Sequence, residues 1–202
     1  MLYDPGERWS YSAAVDVQAL LVEKLSGQSF EAYVRAHILD PLGMKETAWT
    51  QPEPVFPRLA AVYNKGSDGK LAKEDAAETR LMNFDPARRM TMGGAGLVAS
   101  IDDYARFSRM LLGGGSLDGV KILNPSTVRL MATDQLDARV TDRWWLSSKG
   151  SVGFGFNFAV RTKQPLAADE NRGAVGEFFW DGRDSTLFWV DPVNKLTAVF
   201  FV

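Results

Sequence analysis

The chain has no cysteine and only one histidine, His37, among its 202 residues. Disulfides and thiolate metal sites are therefore excluded, and a histidine-based metal cluster is unavailable, so we expect no metal. A chain without cysteine suits the cytosol and the periplasm equally, which leaves the compartment open. The formal net charge is only −2, which argues against a nucleic-acid partner. No apolar run approaches the roughly 20 residues of a membrane span.

What is present is an ordinary globular composition, with 46% hydrophobic and 24% charged residues. Apolar periodicity predicts a first helix over residues 13–25, which Gly27 ends. A second helix is expected over residues 29–38, with the serine at its start as the N-cap. Pro41 and Gly43 then break the chain.

Residues 51–89 are polar and irregular, which indicates a long surface excursion containing a hairpin. Two further helices are predicted after this stretch. Residues 100–103, Ser-Ile-Asp-Asp, form a capping box that opens a third helix, and three glycines at 113–115 end it. The two aspartates are therefore interpreted as capping residues and not as a pair for acid–base chemistry. A short fourth helix is predicted to start at Pro125.

The last fifty residues change character from helix to strand. Alternating phenylalanines predict a strand over residues 154–160. Further strands are predicted over residues 178–180, 187–190 and 196–202. The sequence thus predicts an α+β fold, with a mainly helical region over residues 1–150 and antiparallel strands over residues 151–202. Because a domain rarely ends on a hydrophobic strand, we expect the chain to be incomplete at both ends.

A Tyr-Ser pair at Tyr11 opens the first helix, within Pro-Gly-Glu-Arg-Trp-Ser-Tyr-Ser-Ala at residues 5–13. The second helix is followed by Asp-Pro-Leu-Gly-Met at residues 40–44. This combination resembles the serine β-lactamase-like hydrolases, which include class C β-lactamases, DD-peptidases and family VIII carboxylesterases. The segments at residues 93–112 and 122–131 also resemble that family. The resemblance therefore covers most of the chain and implies a β-lactamase/transpeptidase-like fold.

The resemblance gives Tyr11 the place of the catalytic tyrosine, which activates the serine nucleophile. A phenol acts as a base near neutral pH only when neighbouring cations favour its phenolate form. In the family, the lysine of a Ser-x-x-Lys motif supplies much of that field. Ala13 stands where the family usually has asparagine, which removes an amide that helps to hold substrate carbonyls. On local evidence alone, Tyr11 would be a half-buried aromatic residue at a helix entrance.

Trp180, Asp181 and Gly182 form the second candidate motif, because they resemble the family's substrate-lining strand. β-Lactamases carry Lys-Thr-Gly there and family VIII esterases carry Trp-Gly-Gly, so the tryptophan form is esterase-like. By position, the backbone N–H of Arg183 would contribute to the oxyanion hole. Asp181 departs from the usual glycine and would place a carboxylate near the developing oxyanion. The alternative is a strand that ends in an ordinary Asp-Gly turn.

The family's nucleophile lies upstream of the catalytic tyrosine, and only ten residues precede Tyr11. Ser67 and Lys70 match Ser-x-x-Lys by letters, but the glycines and charges around them predict an exposed turn. A Ser-His-Asp triad on His37 is formally open, although a cation at the predicted end of the second helix is the commoner arrangement. The nucleophile-bearing segment is therefore expected to be absent from this chain.

The resemblance implies part of a serine hydrolase that cleaves small-molecule esters, or β-lactams or peptides, through an acyl-serine intermediate. It implies no metal or organic cofactor. Two alternatives stay open: a non-catalytic remnant that binds a ligand or a partner, and one chain of a split enzyme. The expected partners are an ester or amide substrate and a complementing N-terminal half or a second copy of the chain.

Overall fold

The computed structural model describes residues 3–74, 91–165 and 173–201. The chain divides into two compact units. Met1–Ser12 and Tyr104–Phe201 form the first unit, and Ala13–Asp103 forms the second. Helices and antiparallel strands are both present, as the predicted fold class requires. The division into residues 1–150 and 151–202 stays a prediction.

The regular elements of the described residues are short, apart from two helices. The α-helices are α1 (Ala14–Ser26), α2 (Phe30–Val34), α3 (Asp40–Leu42), α4 (Ile101–Leu112) and α5 (Pro125–Met131). The strands are β1 (Arg8–Ser10), β2 (Tyr63–Lys65), β3 (Leu71–Lys73), β4 (Ser116–Leu117), β5 (Val120–Lys121), β6 (Asp142–Trp144), β7 (Val152–Phe154), β8 (Ala159–Arg161), β9 (Phe178–Asp181), β10 (Leu187–Asp191) and β11 (Leu196–Phe200).

The second unit begins with α1, and Gly27 ends this helix as predicted. The glycine adopts a φ of +71°, and its N–H donates to the carbonyl of Glu23 at 2.9 Å. A left-handed residue at this position is the usual way to stop a helix. Helix α1 buries Ala19 but leaves much of its apolar face in solvent, at Val17, Leu20, Leu21 and Leu25.

The second helix is longer than predicted and passes through Pro41. The hydroxyl of Ser29 accepts the N–H of Ala32 at 3.2 Å, which confirms the predicted N-cap. From α2 the chain continues through a π-helical turn, Arg35–Leu39, into α3, and Gly43 ends it with a φ of +70°. The predicted break at Pro41 is wrong, because the proline lies in the first turn of α3, where a missing N–H is tolerated.

The irregular excursion after α3 contains the predicted hairpin, which is formed by β2 and β3. Ser67 and Lys70 lie on its turn and are exposed, and the ammonium of Lys70 is 3.9 Å from the carboxylate of Asp68. The Ser-x-x-Lys match is therefore on a surface turn, as predicted. Residues 75–90 of the excursion lie outside the described part of the chain.

One of the two hydrogen bonds of the predicted capping box forms at the start of α4. The N–H of Asp103 donates to the hydroxyl of Ser100 at 3.3 Å. The buried carboxylate of Asp103 accepts the backbone N–H of Glu46 at 2.7 Å and the hydroxyl of Thr47 at 2.8 Å. Asp103 thus has a structural role, but its carboxylate binds residues 46 and 47, whereas the sequence predicts that it caps the helix.

The first unit is built around a five-stranded antiparallel sheet in the order β11-β10-β9-β8-β7. A hydrophobic cluster forms on this sheet, and several aromatic side chains pack against it. Its buried members are Leu146, Val152, Ala159 and Phe179, and the partly buried side chains packed against it are Trp9, Leu136, Phe154, Trp180 and Trp189. Because such large apolar areas leave water together, this cluster fixes the positions of the tryptophans around it.

The single strand predicted over residues 154–160 is wrong, because the chain turns back within this segment. Strand β7 ends at Phe154 and β8 begins at Ala159, and these two residues are partners in an antiparallel pair. Asn157 adopts a left-handed φ of +62° in the turn, a conformation that asparagine tolerates better than most residues. The alternating phenylalanines therefore belong to a hairpin.

Strand β11 lies at one edge of the sheet and ends at Phe200, whereas the predicted strand runs to Val202, which lies outside the described residues. Leu196 and Phe200 are exposed on it. An apolar edge strand is a template for pairing with another chain. We therefore expect light scattering to give a mass above the 22.3 kDa of one chain, rising with concentration.

The edge can be tested with a pair of matched variants. Phe200→Lys places a charge on β11 and should reduce association, because a lysine blunts an edge strand. Leu71→Lys makes the same kind of change at an exposed apolar position on β3 and should leave association unchanged. A monodisperse monomer over a wide range of concentrations would contradict the prediction.

Candidate active site

Tyr11 is held by the pairing of two short strands that are far apart in sequence. Strands β1 and β6 are parallel, and Ser10 is the partner of Trp144. The next residues along the two strands, Tyr11 and Trp145, therefore leave the ladder side by side. Their rings stack with centroids 5.5 Å apart and an interplanar angle of 30°.

Trp180 brings the second predicted motif to the same place. This residue lies on β9, and its ring stacks with that of Tyr11 at 5.8 Å with an interplanar angle of 21°. Tyr11 thus contacts two indoles while 45% of its surface stays exposed. A tyrosine that is oriented by aromatic contacts and still open to solvent is accessible to a small molecule.

Trp145 adopts an unusual backbone conformation, with φ +72° and ψ −35°. A bulky residue in this region stores strain of about 1–3 kcal/mol, which persists only where surrounding contacts enforce it. Here the following residue, Leu146, is buried in the cluster against the sheet. The carbonyl of Trp145 accepts the hydroxyl of Ser148 at 2.7 Å. These contacts hold the indole of Trp145 against Tyr11.

Lys149 is a site residue that sequence reasoning missed. It ends the 3-10 turn Leu146–Lys149, and only 9% of its side chain is exposed. Its ammonium forms an ion pair with the carboxylate of Asp181 and lies 5.1 Å from the centre of the Trp180 ring. In sequence, Ser-Ser-Lys-Gly looks like an ordinary polar loop, so no local signal marks this lysine.

The ion pair changes the interpretation of Asp181. The sequence predicts a carboxylate close to a developing oxyanion, which would disfavour negative charge there. In the structure, the carboxylate is matched by the ammonium of Lys149. The motif therefore presents a neutralised pair next to the indole of Trp180.

Gly182 and Arg183 lie in the turn that joins β9 to β10. The N–H of Gly182 donates to the carbonyl of Thr186 at 2.8 Å. A Cβ at Gly182 would lie 2.3 Å from the hydroxyl of Thr186, so a larger residue here would require the Thr186 side chain to move. The guanidinium of Arg183 is largely exposed and lies 3.9 Å from the carboxylate of Asp184. The oxyanion role of the Arg183 N–H stays a prediction.

His37, the other catalytic candidate from the sequence, packs within a helical segment. His37 lies within the π-helical turn and not at a helix end, and its ring contacts that of Tyr33 at 4.3 Å. Across residues 3–74, 91–165 and 173–201, no group of three or more His, Cys, Asp or Glu side chains is arranged to hold a metal ion. No helix within these ranges is long and apolar enough to cross a membrane.

The helices and the antiparallel five-stranded sheet form a β-lactamase/transpeptidase-like fold, because the chain superposes on solved structures of that fold. The family described as Beta-lactamase matches residues 1–202, and the chain belongs to this family. The family resemblance drawn from the sequence is therefore confirmed.

Individual relatives agree with this assignment. The chain is 34% identical to Esterase EstB of Burkholderia gladioli, covering 98% of this chain and 50% of the esterase. It is 31% identical to Protein Rv1367c of Mycobacterium tuberculosis, covering 100% of this chain and 50% of that protein. The LovD6 mutant of simvastatin synthase from Aspergillus terreus superposes with a TM-score of 0.82 at 26% identity, covering 100% of this chain and 51% of the synthase. The chain thus spans about half the length of the curated relatives it matches.

Proposed function

We propose that this chain forms part of the active site of a serine hydrolase that cleaves esters through an acyl-serine intermediate. The observation that carries the proposal is the stacking of Tyr11 on both Trp145 and Trp180. Two motifs that the family resemblance selects independently, about 170 residues apart in the sequence, meet at one place. Relatives with esterase and acyltransferase names support the same class of chemistry.

In the proposed reaction, Tyr11 accepts the proton of a serine hydroxyl as its oxygen attacks the ester carbonyl. The tetrahedral intermediate collapses to an acyl-serine, and the leaving alcohol takes up the proton. Water then attacks the acyl-serine, giving the free acid and restoring the serine. The nucleophile is assigned to a separate Ser-x-x-Lys segment, supplied in cis or by another polypeptide.

The end of β9 is proposed as the oxyanion side of the site. Along a strand, successive N–H groups point to opposite edges. The N–H of Gly182 donates towards β10, so the N–H of Asp181 is directed towards the other edge. On that edge β8 pairs with β9 only at Phe178 and Phe179. Arg183 lies in the turn beyond this edge, and its N–H is assigned to carbonyl oxygen stabilisation by its position in the motif that resembles the family.

The proposal can be tested on material isolated from cells that make this chain. A fluorophosphonate probe should label one serine in a Ser-x-x-Lys motif. Peptide mapping and intact mass should show that this serine is either continuous with the chain or on a polypeptide that co-purifies with it. If no such serine is labelled in any preparation that contains the chain, the proposed hydrolase is wrong and a non-catalytic binding role takes its place.

Substrate preference gives a second prediction for an active preparation. We expect kcat/KM to favour p-nitrophenyl butyrate over nitrocefin. Trp180 stands where β-lactamases use a lysine, so a charge-assisted contact with the substrate carboxylate is absent. Burying an apolar acyl group against the indole contributes about 1.5–3 kcal/mol instead. A preference for nitrocefin that disappears in Arg183→Ala would show that Arg183 anchors the carboxylate and that the esterase assignment is wrong.

A further inference from the structure

The surroundings of Lys149 have the composition of an anion site. Its side chain is about nine-tenths buried, so its ammonium has little access to water. One neighbour is the face of the Trp180 indole, 5.1 Å away, which attracts a cation through its quadrupole. The other is the carboxylate of Asp181. An ammonium beside an aromatic face can bind a carboxylate that carries an aromatic or apolar group.

We infer that Lys149 and the face of Trp180 form a carboxylate-binding subsite that Asp181 occupies from within the chain. With this pair formed, Lys149 offers no unpaired positive charge to a substrate beside Tyr11, so the site selects uncharged acyl or alcohol groups. Asp181 is in this sense a specificity-determining residue. The selection of substrates rests on the proposed hydrolase function, whereas the binding of a carboxylate does not.

The backbone around Lys149 makes the subsite rigid. Leu146 is buried at the start of the same 3-10 turn, and Trp145 holds its strained conformation just before it. The N–H of Gly150 donates to the carbonyl of Ser147 at 3.3 Å and closes the turn. The backbone of Lys149 is therefore held by contacts that do not involve Asp181. Asp181→Ala leaves the ammonium beside the indole without this carboxylate, so a carboxylate from solution can form the ion pair in its place.

The occupant itself is well placed for displacement. Asp181 is the last residue of β9. Its side chain is 44% exposed, whereas that of Lys149 is 9% exposed. Removing the Asp181 carboxylate therefore opens a path from solvent to the ammonium. The neighbouring charges in the turn, Arg183 and Asp184, lie 3.9 Å from each other.

The test measures binding by the 202-residue chain in the variant Asp181→Ala. The probes are phenylacetate and its uncharged analogue phenylacetamide, and the readouts are calorimetry and the NMR shifts of the indole N–H groups. We expect phenylacetate to bind at least about tenfold more tightly to the variant than to the unchanged chain, as a charge-assisted contact allows. Phenylacetamide should bind equally to both.

A matched control separates a subsite from a general gain of positive charge. Asp118→Ala removes the same charge and leaves Arg106 and Arg109 without that partner at the surface. This control should show no gain for phenylacetate. Adding Lys149→Met to Asp181→Ala should abolish the gain. Equal gains in Asp118→Ala and Asp181→Ala, or no gain in a folded Asp181→Ala chain, would overturn the inference.

Asp181→Asn provides a second variant of nearly unchanged shape, and circular dichroism reports whether each variant is folded. If neither variant folds, Asp181 is a structural ion-pair partner and the inference is wrong. The proposed hydrolase function fails in a different experiment, when no Ser-x-x-Lys serine is labelled. Binding of phenylacetate by Asp181→Ala would still be observed in that case, so the two failures are distinguishable.

Discussion

The 202-residue chain, tested by itself, is expected to form no acyl-enzyme with p-nitrophenyl butyrate or a fluorophosphonate probe. A serine hydroxyl reacts with these reagents at an appreciable rate only when an adjacent base activates it. The only Ser-x-x-Lys in the chain is at Ser67, and it lies on the turn between β2 and β3. Both Ser67 and Lys70 are exposed there, and Lys70 lies near Asp68. The lysine of this match is exposed, so it does not form the buried serine–lysine pair at a helix start that the motif requires.

The measurement is intact mass after incubation with excess probe, with Ser67→Ala as the matched variant. The unchanged chain and the variant should both keep their original mass. Esterase EstB, treated in parallel, provides a protein of the same family for comparison. Stoichiometric labelling that Ser67→Ala removes would make the hairpin serine the nucleophile. Labelling of any other serine would show that the chain carries a complete catalytic site of a different kind.

The helix ends of the second unit were predictable because their signals are local. Gly27 and Gly43 adopt left-handed conformations that glycine reaches at little cost, and Ser29 caps the helix that follows it. Each signal acts within a few residues, so it can be read in the sequence directly. The hairpin at Asn157 could not be predicted in this way. Its alternating phenylalanines suit an extended strand equally well, and the turn depends on pairing between β7 and β8.

The residues of the candidate site also differ in whether local sequence could predict them. Tyr11 and Trp180 were predictable because each lies in a motif that resembles the family. Trp145 and Lys149 were not, because their place in the site follows from the parallel pairing of β1 with β6, strands more than 100 residues apart. The positive φ of Trp145 adds to the difficulty, since a bulky residue gives no sequence signal for that conformation.

Asp181 shows how a missed partner changes a functional interpretation. Considered alone, a carboxylate beside the oxyanion side of a hydrolase would oppose the charge that develops in the transition state. Its partner Lys149 lies 32 residues earlier in the chain and removes that objection. Distance in sequence hides the pair, and only the ion pair between the end of the 3-10 turn and the end of β9 reveals it.

Tyr11→Phe is expected to abolish turnover in a preparation that contains the nucleophile segment, while leaving the fold intact. The change removes one phenolic oxygen and keeps the ring, so the stacking on Trp145 and Trp180 is retained. Loss of a general base typically lowers the rate by about 10²–10⁴-fold. We expect that loss in kcat/KM for p-nitrophenyl butyrate, with the thermal unfolding midpoint little changed, because surface substitutions seldom alter stability much.

Tyr63→Phe is the matched control for this change, because Tyr63 is an exposed tyrosine on β2 in the other compact unit. It removes the same oxygen and should leave turnover unchanged. The values of kcat and KM for Tyr11→Phe distinguish two roles of Tyr11. Loss of a base lowers kcat, whereas loss of a binding contact raises KM. Esterase activity within a few-fold of the unchanged protein in Tyr11→Phe would show that Tyr11 only packs between its neighbours. The base would then have to be sought elsewhere, and the stacked indoles would be a feature of the fold alone.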